Sequence, residues 1–376
     1  MNSPFKYTDY VTNSHFIGRN NEVVHFCSLV REHKNILIYS PARTGKRSLI
    51  YNSLEKLKQE AYDYILIGMN LFNIRCIEAF MLHFTNTIFR NFASSPMEWT
   101  DMLRRYLPSA PYVIDSNAIS PKFVYTTKEL LTDEQISEFV NLPHKLSVEH
   151  NCHIVFYFEQ FQDIILFSDP ERIFKIFERE WKNHYNISYI VTGERKNAMD
   201  DIFETRKFFY NMMEKIEILP IDRKLFSDYI ITGFLKAGKV INPEMAGEIY
   251  DTVEGDPWYT QHLAQICFDL TRGYMNDKTI ETGLKNLINL HDFLFHNIAF
   301  NLSKHQLRFI KAVLEGVTKF SSADILAKYN LNSSANVNRL KEALTKKEII
   351  TFNKNKEIVF IDPLLKHWFI KHFFAK

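Results

Sequence analysis

The stretch that decides the fold is Asn35-Ile-Leu-Ile-Tyr-Ser-Pro-Ala-Arg-Thr-Gly-Lys-Arg-Ser-Leu49. It begins as a short apolar run of strand type, passes through a turn that contains Gly45 and Lys46, and continues into residues 48–57, where apolar side chains recur at helical spacing. A strand, a Gly/Lys turn and a helix form the setting of a phosphate-binding loop. Gly45 lets the backbone approach a phosphate, Lys46 supplies a cation, and the helix N-terminus adds positive potential. The stretch alone therefore predicts an α/β domain with either a phosphate site or a plain strand, turn and helix that carries an exposed lysine.

Three more strands are predicted downstream, at residues 64–69, 153–158 and 187–192. The run at 153–158 is apolar throughout, which is typical of a strand buried on both faces of a parallel sheet. A long amphipathic helix fits residues 77–92, whereas residues 94–132 contain four prolines and are predicted to be an insertion or loop region. Strands that alternate with helical segments indicate a doubly wound α/β domain, predicted over residues 1–219.

After Pro220 the pattern changes to helices alone, which predicts an all-α lid domain over residues 220–300. The last part of the chain has three short helical patterns and then two strands, at residues 304–314, 323–329, 335–346, 349–352 and 357–361. Three helices followed by a β-hairpin are typical of a winged helix-turn-helix. A winged helix domain is therefore predicted over residues 301–376.

The composition fits a folded protein of the cytoplasm. Of the 376 residues, 46% are hydrophobic and 24% are charged, which argues against a disordered or fibrous chain. No apolar run approaches the ~18–20 residues needed to span a bilayer, and the N-terminus lacks a signal-peptide pattern. The four cysteines lie far apart, without disulfide or metal spacing. We expect a cytoplasmic protein without a membrane partner, whose oligomeric state the sequence does not indicate.

Six segments resemble, in order, the landmarks of archaeal-type P-loop ATPases, which belong to the STAND branch of the AAA+ proteins. They are similar to the family's F-x-G-R-x-x-E box, phosphate loop, Walker B box, sensor strand, G-x-P motif and winged-helix ending. The segments are Phe16-Ile-Gly-Arg-Asn-Asn-Glu22, Ser40-Pro-Ala-Arg-Thr-Gly-Lys-Arg-Ser-Leu49, Phe158-Glu-Gln-Phe-Gln-Asp163, Tyr189-Ile-Val-Thr-Gly193, Gly255-Asp-Pro-Trp-Tyr259 and Asp362-Pro-Leu-Leu-Lys-His-Trp368. The resemblance covers nearly the whole chain.

The resemblance implies an AAA+-like α/β P-loop domain with a parallel sheet, followed by an all-α lid and a winged helix. It also implies an adenine nucleotide, ATP or ADP, as the ligand. The nucleotide-binding residues it implies are Gly18, Arg19, Ser40, Arg43, Thr44, Gly45, Lys46, Arg47, Ser48 and Pro257.

Five residues depart from the family's catalytic pattern. Ser40 replaces the first glycine of the loop, and Arg47 stands where a Ser or Thr hydroxyl would bind Mg²⁺. In the Walker B box, Glu159 takes the usual Asp position and stays a candidate ligand for Mg²⁺. Gln160 takes the position of the catalytic Glu, and its amide cannot accept a proton from water. General-base catalysis typically accelerates a reaction by ~10²–10⁴-fold. Glu194 follows the sensor strand, where an inward-pointing charge would repel a γ-phosphate.

These departures indicate a nucleotide-dependent conformational switch in which hydrolysis is weak or lost. One alternative is an active ATPase in which Glu159 holds Mg²⁺ and Asp163 or Glu194 serves as the base. The other is a nucleotide-free scaffold, or a DNA-binding protein, that acts through the winged helix. Apart from Glu159, no residue is predicted to bind a metal.

The C-terminal part of the chain is basic. Residues 303–376 hold 14 Lys/Arg and 6 Asp/Glu, a net charge of +8, so the remainder carries −6 of the total of +2. Such a module suits DNA, an acidic protein partner, or docking onto the chain's own acidic part. The candidates for DNA contact are Asn336, Arg339 and Lys341 on the third helix and Lys354 and Lys356 on the wing. Acidic residues interrupt this face, and winged helices of the resembled branch also serve as intramolecular clamps.

Overall fold

The computed structural model describes residues 4–8, 10–110, 112–115, 122–125 and 131–375, with the two short central ranges described by backbone alone. The chain forms two compact units. The sheet unit comprises Asn21–Ser40 and Leu49–Ile218, and the helical unit comprises Met1–Asn20, Pro41–Ser48 and Leu219–Lys376. The division into three domains at residues 219 and 300 stays a prediction.

The sheet unit is built on a five-stranded parallel sheet. Its strands lie in the order β2-β5-β6-β1-β7, and every neighbouring pair is parallel. A separate antiparallel hairpin, β3-β4, completes the strands of this unit: β1 Ile36–Tyr39, β2 Ile65–Asn70, β3 Tyr112–Asp115, β4 Lys122–Tyr125, β5 Ile154–Glu159, β6 Ile187–Gly193 and β7 Glu214–Lys215. The predicted parallel α/β fold is confirmed. The sequence did not indicate β7, because its two residues are exposed and charged.

Eight helices belong to this part of the chain: α1 Asn20–Arg31, α2 Lys46–Gln59, α3 Ile77–Phe92, α4 Pro96–Tyr106, α5 Asp133–Val140, α6 Leu142–Glu149, α7 Pro170–Trp181 and α8 Lys196–Asp200. The prediction of an insertion or loop over residues 94–132 was wrong for α4. Ser95 caps α4 by accepting a hydrogen bond from the Glu98 N–H, and Pro96 occupies the first turn, where proline needs no donor. Residues 111, 116–121 and 126–130 lie outside the described residues.

Strand β5 is buried on both faces, as its sequence predicted. Phe156 and Phe158 point to one face and join an aromatic cluster with α3 and α7, whereas Tyr157 points to the other and meets Tyr51 of α2 edge-on. The ring of Trp181 in α7 stacks on Tyr189 of β6 at 3.9 Å between centroids. The abundant aromatic residues of this unit therefore fill its core.

The helical unit contains the remaining helices and the second hairpin. They are α9 Arg223–Lys236, α10 Pro243–Thr252, α11 Pro257–Leu270, α12 Lys278–Phe300, α13 Lys304–Leu314, α14 Ala323–Lys328, α15 Ser334–Lys346, β8 Ile350–Phe352, β9 Ile358–Phe360 and α16 Pro363–Trp368. Strands β8 and β9 pair antiparallel and form the wing. The predicted all-helical segment and the predicted winged helix are confirmed.

Helix α16 fastens the winged helix to the helices before it. Asp362 caps α16 by accepting hydrogen bonds from two backbone N–H groups, and it also accepts one from the Tyr259 hydroxyl of α11 at 2.9 Å. Trp368 is fully buried, and its Nε1 donates to Asp292 of α12 at 2.7 Å. The Asp-Pro and Trp positions of this motif are therefore a helix cap and a core anchor. We use the word lid below for helices α9–α12.

Within the residues that the structure describes, none of the helices combines the length and the apolar character that crossing a membrane requires.

Replacing Phe158 by Ala should lower the free energy of unfolding by about 3–5 kcal/mol, because the fully buried ring would leave a cavity in the aromatic cluster. Urea denaturation of the two proteins measures this. The matched control is Phe72→Ala, whose ring is 65% exposed and should change stability by less than about 0.5 kcal/mol. Equal losses in the two variants would contradict this account of the core.

Candidate functional site

The predicted phosphate loop, residues 40–48, forms internal hydrogen bonds in this structure. Gly45 has φ of +95°, in the region where glycine is favoured, and Lys46 begins α2. The Lys46 ammonium is 6% exposed and donates to the Pro41 carbonyl at 2.7 Å, and the Thr44 hydroxyl donates to the same oxygen at 3.0 Å. A phosphate oxygen is a stronger acceptor for an ammonium than a neutral carbonyl is. The loop thus holds its cation on an acceptor that an anion can replace.

The Phe-Ile-Gly-Arg box lies against this loop. The Arg19 side chain is 3% exposed and donates from Nη2 to the Thr44 carbonyl at 3.2 Å. Gly18 has φ of +70°, and a Cβ there would come within 2.8 Å of Ile221 at the start of the lid segment. Only glycine fits that position without strain. The box therefore supports the loop from one side and the lid segment from the other.

A cavity of about 60 Å³ lies beside the loop. Its walls include the predicted residues Arg19, Arg43, Thr44, Gly45, Ser48 and Pro257, together with Ile17, Ile221 and Phe226, which were not predicted. The apolar side chains form a slot next to the polar loop. A cavity of this size has room for a few water molecules, whereas small-molecule sites typically enclose ~300–1,000 Å³.

Residues near the N-terminus, for which the sequence predicted no role, also contact the site. The Val11 N–H donates to the Ser48 hydroxyl at 3.0 Å, and the Tyr7 ring stacks on His262 at 4.2 Å. The Lys6 N–H donates to Gln261 of α11 at 3.2 Å. No spacing or composition distinguishes these N-terminal residues, so only the folded chain identifies them.

The first turn of α11 carries the predicted Pro257, and a partly buried acid, Asp256, precedes it. Asp256 caps the helix, accepting from the N–H groups of Trp258 and Tyr259 at 3.0 and 2.9 Å. Burial raises the pKa of Asp256 to about 7, the nearby Asp362 adds to the rise, and the two backbone hydrogen bonds and the charge of Arg43 oppose it. Asp256 is thus the N-cap of α11, and Pro257 occupies the first helical position, where proline needs no donor.

Trp258 connects three segments of the site. The Arg43 guanidinium lies over its ring at 4.1 Å, its Nε1 donates to the Tyr7 carbonyl, and it meets His262 edge-on at 5.1 Å between centroids. The sequence motif contained Trp258, but no role was predicted for it. Its neighbour Pro257 was predicted to bind the nucleotide, because the G-x-P motif of the resembled family contains the proline.

The Walker B residues lie in the sheet unit, at the carboxyl end of β5. Glu159 is its last residue and accepts a hydrogen bond from Asn70 of β2 at 3.1 Å. Gln160 has φ of +57°, and its amide donates to the Glu194 carboxylate at 2.8 Å. Its amide oxygen accepts from Gln162 at 2.6 Å. Both the amide nitrogen and the amide oxygen of Gln160 are therefore hydrogen-bonded, and the Glu194 carboxylate accepts from the nitrogen.

Asp163 was named as an alternative base. It is 8% exposed, and burial raises the pKa of its carboxyl, while Arg195, Gln162 and Arg75 act in the opposite direction. Its carboxylate accepts a hydrogen bond from Gln162 at 3.3 Å.

Four of the predicted nucleotide-binding residues are not among the residues that line the cavity, namely Gly18, Ser40, Lys46 and Arg47. Ser40 is 7% exposed, and its N–H donates to the Gly193 carbonyl of β6 at 3.4 Å. Arg47 is exposed on α2.

The candidates for DNA contact differ in their surroundings. Asn336 donates its side-chain N–H to the Leu331 carbonyl at 2.9 Å, and the Lys341 ammonium lies 5.5 Å from the Phe320 ring. Arg339 on α15 is exposed, as are Lys354 and Lys356 in the turn between β8 and β9. The exposed cations therefore lie on α15 and on the wing.

Comparisons with known proteins agree with this architecture. A model of a probable winged helix domain matches residues 293–371. Among solved structures, a Walker-type ATPase of Pyrococcus abyssi is similar with a TM-score of 0.63 and 14% identity, over 97% of this chain and 99% of that one. The Orc2 protein of Aeropyrum pernix, in ADPNP and ADP complexes, gives a TM-score of 0.53 and 11% identity, over 100% and 99% of the two chains. The Orc1 protein of A. pernix, in complex with DNA, gives a TM-score of 0.50 and 10% identity, over 96% of this chain and 94% of that one. A comparison with curated proteins gives no match.

The chain therefore has the fold of the AAA+-type P-loop ATPases, with a winged helix at its C-terminal end. The expected resemblance to archaeal P-loop ATPases is confirmed at the level of the fold.

Stability should fall as the pH rises through the range in which Asp256 ionises. Its native pKa of about 7 lies above the ordinary 3.8, so the stabilising contribution of its proton is fully present below about pH 4 and is lost by about pH 7. Asp256→Asn keeps an acceptor for the helix cap and never ionises. Between pH 4.5 and 7.5 the wild type should lose more stability than the variant, by up to about 1.4 kcal/mol per pH unit, in urea denaturation. Parallel stability curves would show that the carboxyl ionises normally.

Proposed function

We propose that this protein is an adenine-nucleotide-binding switch of the STAND type, in which ATP or ADP binds at the phosphate loop and hydrolysis is weak or lost. The observation that carries the proposal is that loop residues, Arg19 of the Phe-Ile-Gly-Arg box and the first turn of α11 line one cavity. The phosphates would meet the N–H groups at the start of α2 and the Lys46 ammonium. The adenine base would lie among the apolar side chains of Ile17, Ile221 and Phe226, which line the same cavity. Support also comes from the A. pernix Orc2 structure of similar fold, which contains ADPNP and ADP.

Binding requires the cavity to widen, because about 60 Å³ is too small for a nucleotide. The contacts that close it are individually weak. The Lys46–Pro41 and Val11–Ser48 hydrogen bonds are each worth about 0.5–1.5 kcal/mol net, and phosphate oxygens can replace their acceptors. A switch of this kind would therefore have a closed empty state and an opened nucleotide-bound state.

The proposed loss of hydrolysis follows from the partners of the Walker B residues. The Gln160 amide cannot take a proton, and it is held by Glu194 and Gln162. The family's Mg²⁺ ligands are a Ser or Thr hydroxyl of the loop and the Walker B carboxylate. Arg47 supplies no hydroxyl, so Glu159 would be the one remaining ligand of these two. Nucleotide would consequently act as a bound signal whose presence sets the position of the lid.

A nucleotide-free scaffold is the second candidate, favoured by the small cavity and by the bond between Lys46 and Pro41. Such a protein would act through its basic winged helix, where Arg339, Lys354 and Lys356 are exposed. The A. pernix Orc1 structure of similar fold is a complex with DNA. A gel-shift titration with duplex DNA at two salt concentrations would support this candidate if binding weakened with salt and with Arg339→Ala.

Lys46→Ala should weaken the binding of a fluorescent ATP analogue by about 10- to 100-fold, because one charge-assisted hydrogen bond to phosphate is worth about 1.5–3 kcal/mol. The measurement is a fluorescence titration. Lys58→Ala, which removes an exposed lysine from the same helix, is the control and should bind as the wild type does. Negligible affinity in all three proteins would favour the scaffold.

Phosphate release from ATP with Mg²⁺ should stay at the background rate in the wild type, because no residue at the end of β5 serves as a base. Glu159→Gln should leave that rate unchanged. A colorimetric phosphate assay decides the matter, with ATP binding confirmed in parallel. Turnover that disappears in Glu159→Gln would instead establish the active ATPase in which Glu159 holds Mg²⁺.

A further inference from the structure

The phosphate loop carries an arginine whose guanidinium stacks on an aromatic ring by one face and whose charge also acts on the nearby Asp256. Arg43 has φ of +67°, an uncommon conformation for a residue other than glycine, and its guanidinium lies 4.1 Å from the centre of the Trp258 ring. Among the described residues, no acceptor forms a hydrogen bond or ion pair with this guanidinium. Stacking uses the face of a guanidinium and leaves its five in-plane N–H donors available.

The indole that holds Arg43 is itself fixed by other contacts. Its Nε1–H donates to the Tyr7 carbonyl, and its ring meets His262 and His291 edge-on at 5.1 and 5.6 Å. Its backbone N–H is bound by the Asp256 cap. The orientation of the ring plane, and hence that of the stacked guanidinium, is therefore determined by the first turn of α11.

Arg43 also lines the cavity beside the loop, together with Gly45 and Ser48. A planar cation with open N–H donors, held at the wall of a phosphate site, matches the fork geometry that phosphate oxygens accept. Holding the side chain in place before the ligand arrives removes part of the ordering cost of binding.

We propose that Trp258 is a positioning residue that aims the Arg43 guanidinium at the phosphates of the bound nucleotide, so that the lid senses the phosphates through a side chain of the phosphate loop. The inference rests on the proposed function and adds a specific device to it. An arginine of the loop, oriented by an aromatic residue of the lid, supplies the cationic contact between lid and phosphate.

The test is a double-mutant cycle on ATP affinity, measured by calorimetry on the full chain. Arg43→Ala should weaken binding by about 10- to 100-fold. Trp258→Leu should weaken it by about 2- to 30-fold, the range that a cation–π contact provides, and should have no further effect in the Arg43→Ala background. Trp258→Phe keeps a ring under the guanidinium and should recover most of the loss.

Two further results would overturn the proposal. One is an equal effect of Trp258→Leu with and without Arg43, which would mean that the indole merely shapes the cavity. The other is Arg43→Lys binding as the wild type does, because lysine keeps the charge and lacks the planar face. The lysine variant lies on the exposed loop and tests the idea even if Trp258→Leu fails to fold. Absence of ATP binding in the wild type would refute the proposed function itself, whereas wild-type binding without coupling would refute this inference alone.

Discussion

The indole of Trp258 is the contact on which the arrangement of the site depends. It lies under Arg43 of the phosphate loop, binds the Tyr7 carbonyl of the N-terminal segment, and sits in the first turn of α11. These three segments are distant in sequence, and no strand pairing or shared helix brings them together. A cation–π contact and one hydrogen bond are modest in energy, about 0.5–2 kcal/mol each. An interaction of that size can hold a closed state and still be outweighed by the phosphates of a ligand.

Much of the fold could be predicted because it depends on patterns of burial. The continuous apolar run at β5 predicted a strand buried on both faces, and the helical spacing after Pro220 predicted the lid and the winged helix. The exceptions include β7, which is short and exposed, and α4. Its proline sits in the first helical turn behind the Ser95 cap, where proline favours a helix instead of breaking one. A count of prolines cannot distinguish that position from a loop, whereas the Ser-Pro-x-Glu pattern of a capped start could have done so.

The site was less predictable, since it is made by residues whose types are common everywhere in the chain. Gly18 and Arg19 were expected at the loop, and the structure gives both a physical reason, the close approach of Ile221 and the bond to the Thr44 carbonyl. Val11 left no signal, because its backbone N–H makes the contact with Ser48, and the Tyr7 carbonyl likewise binds Trp258, although the Tyr7 ring also stacks on His262. Contacts through the backbone do not constrain the residue type.

The two departures at the ends of β5 and β6 are explained together. Gln160 donates to Glu194 across neighbouring strand ends, so an acid after the sensor strand is neutralised in part by the amide that replaced the expected carboxylate. Two carboxylates at these positions would repel each other and would raise the pKa of one of them. A reversion of Gln160 to Glu alone would therefore create a strained acidic pair, and it would not restore a base of ordinary pKa. An amide at position 160 therefore accommodates the Glu194 carboxylate through a hydrogen bond, where a second carboxylate would repel it.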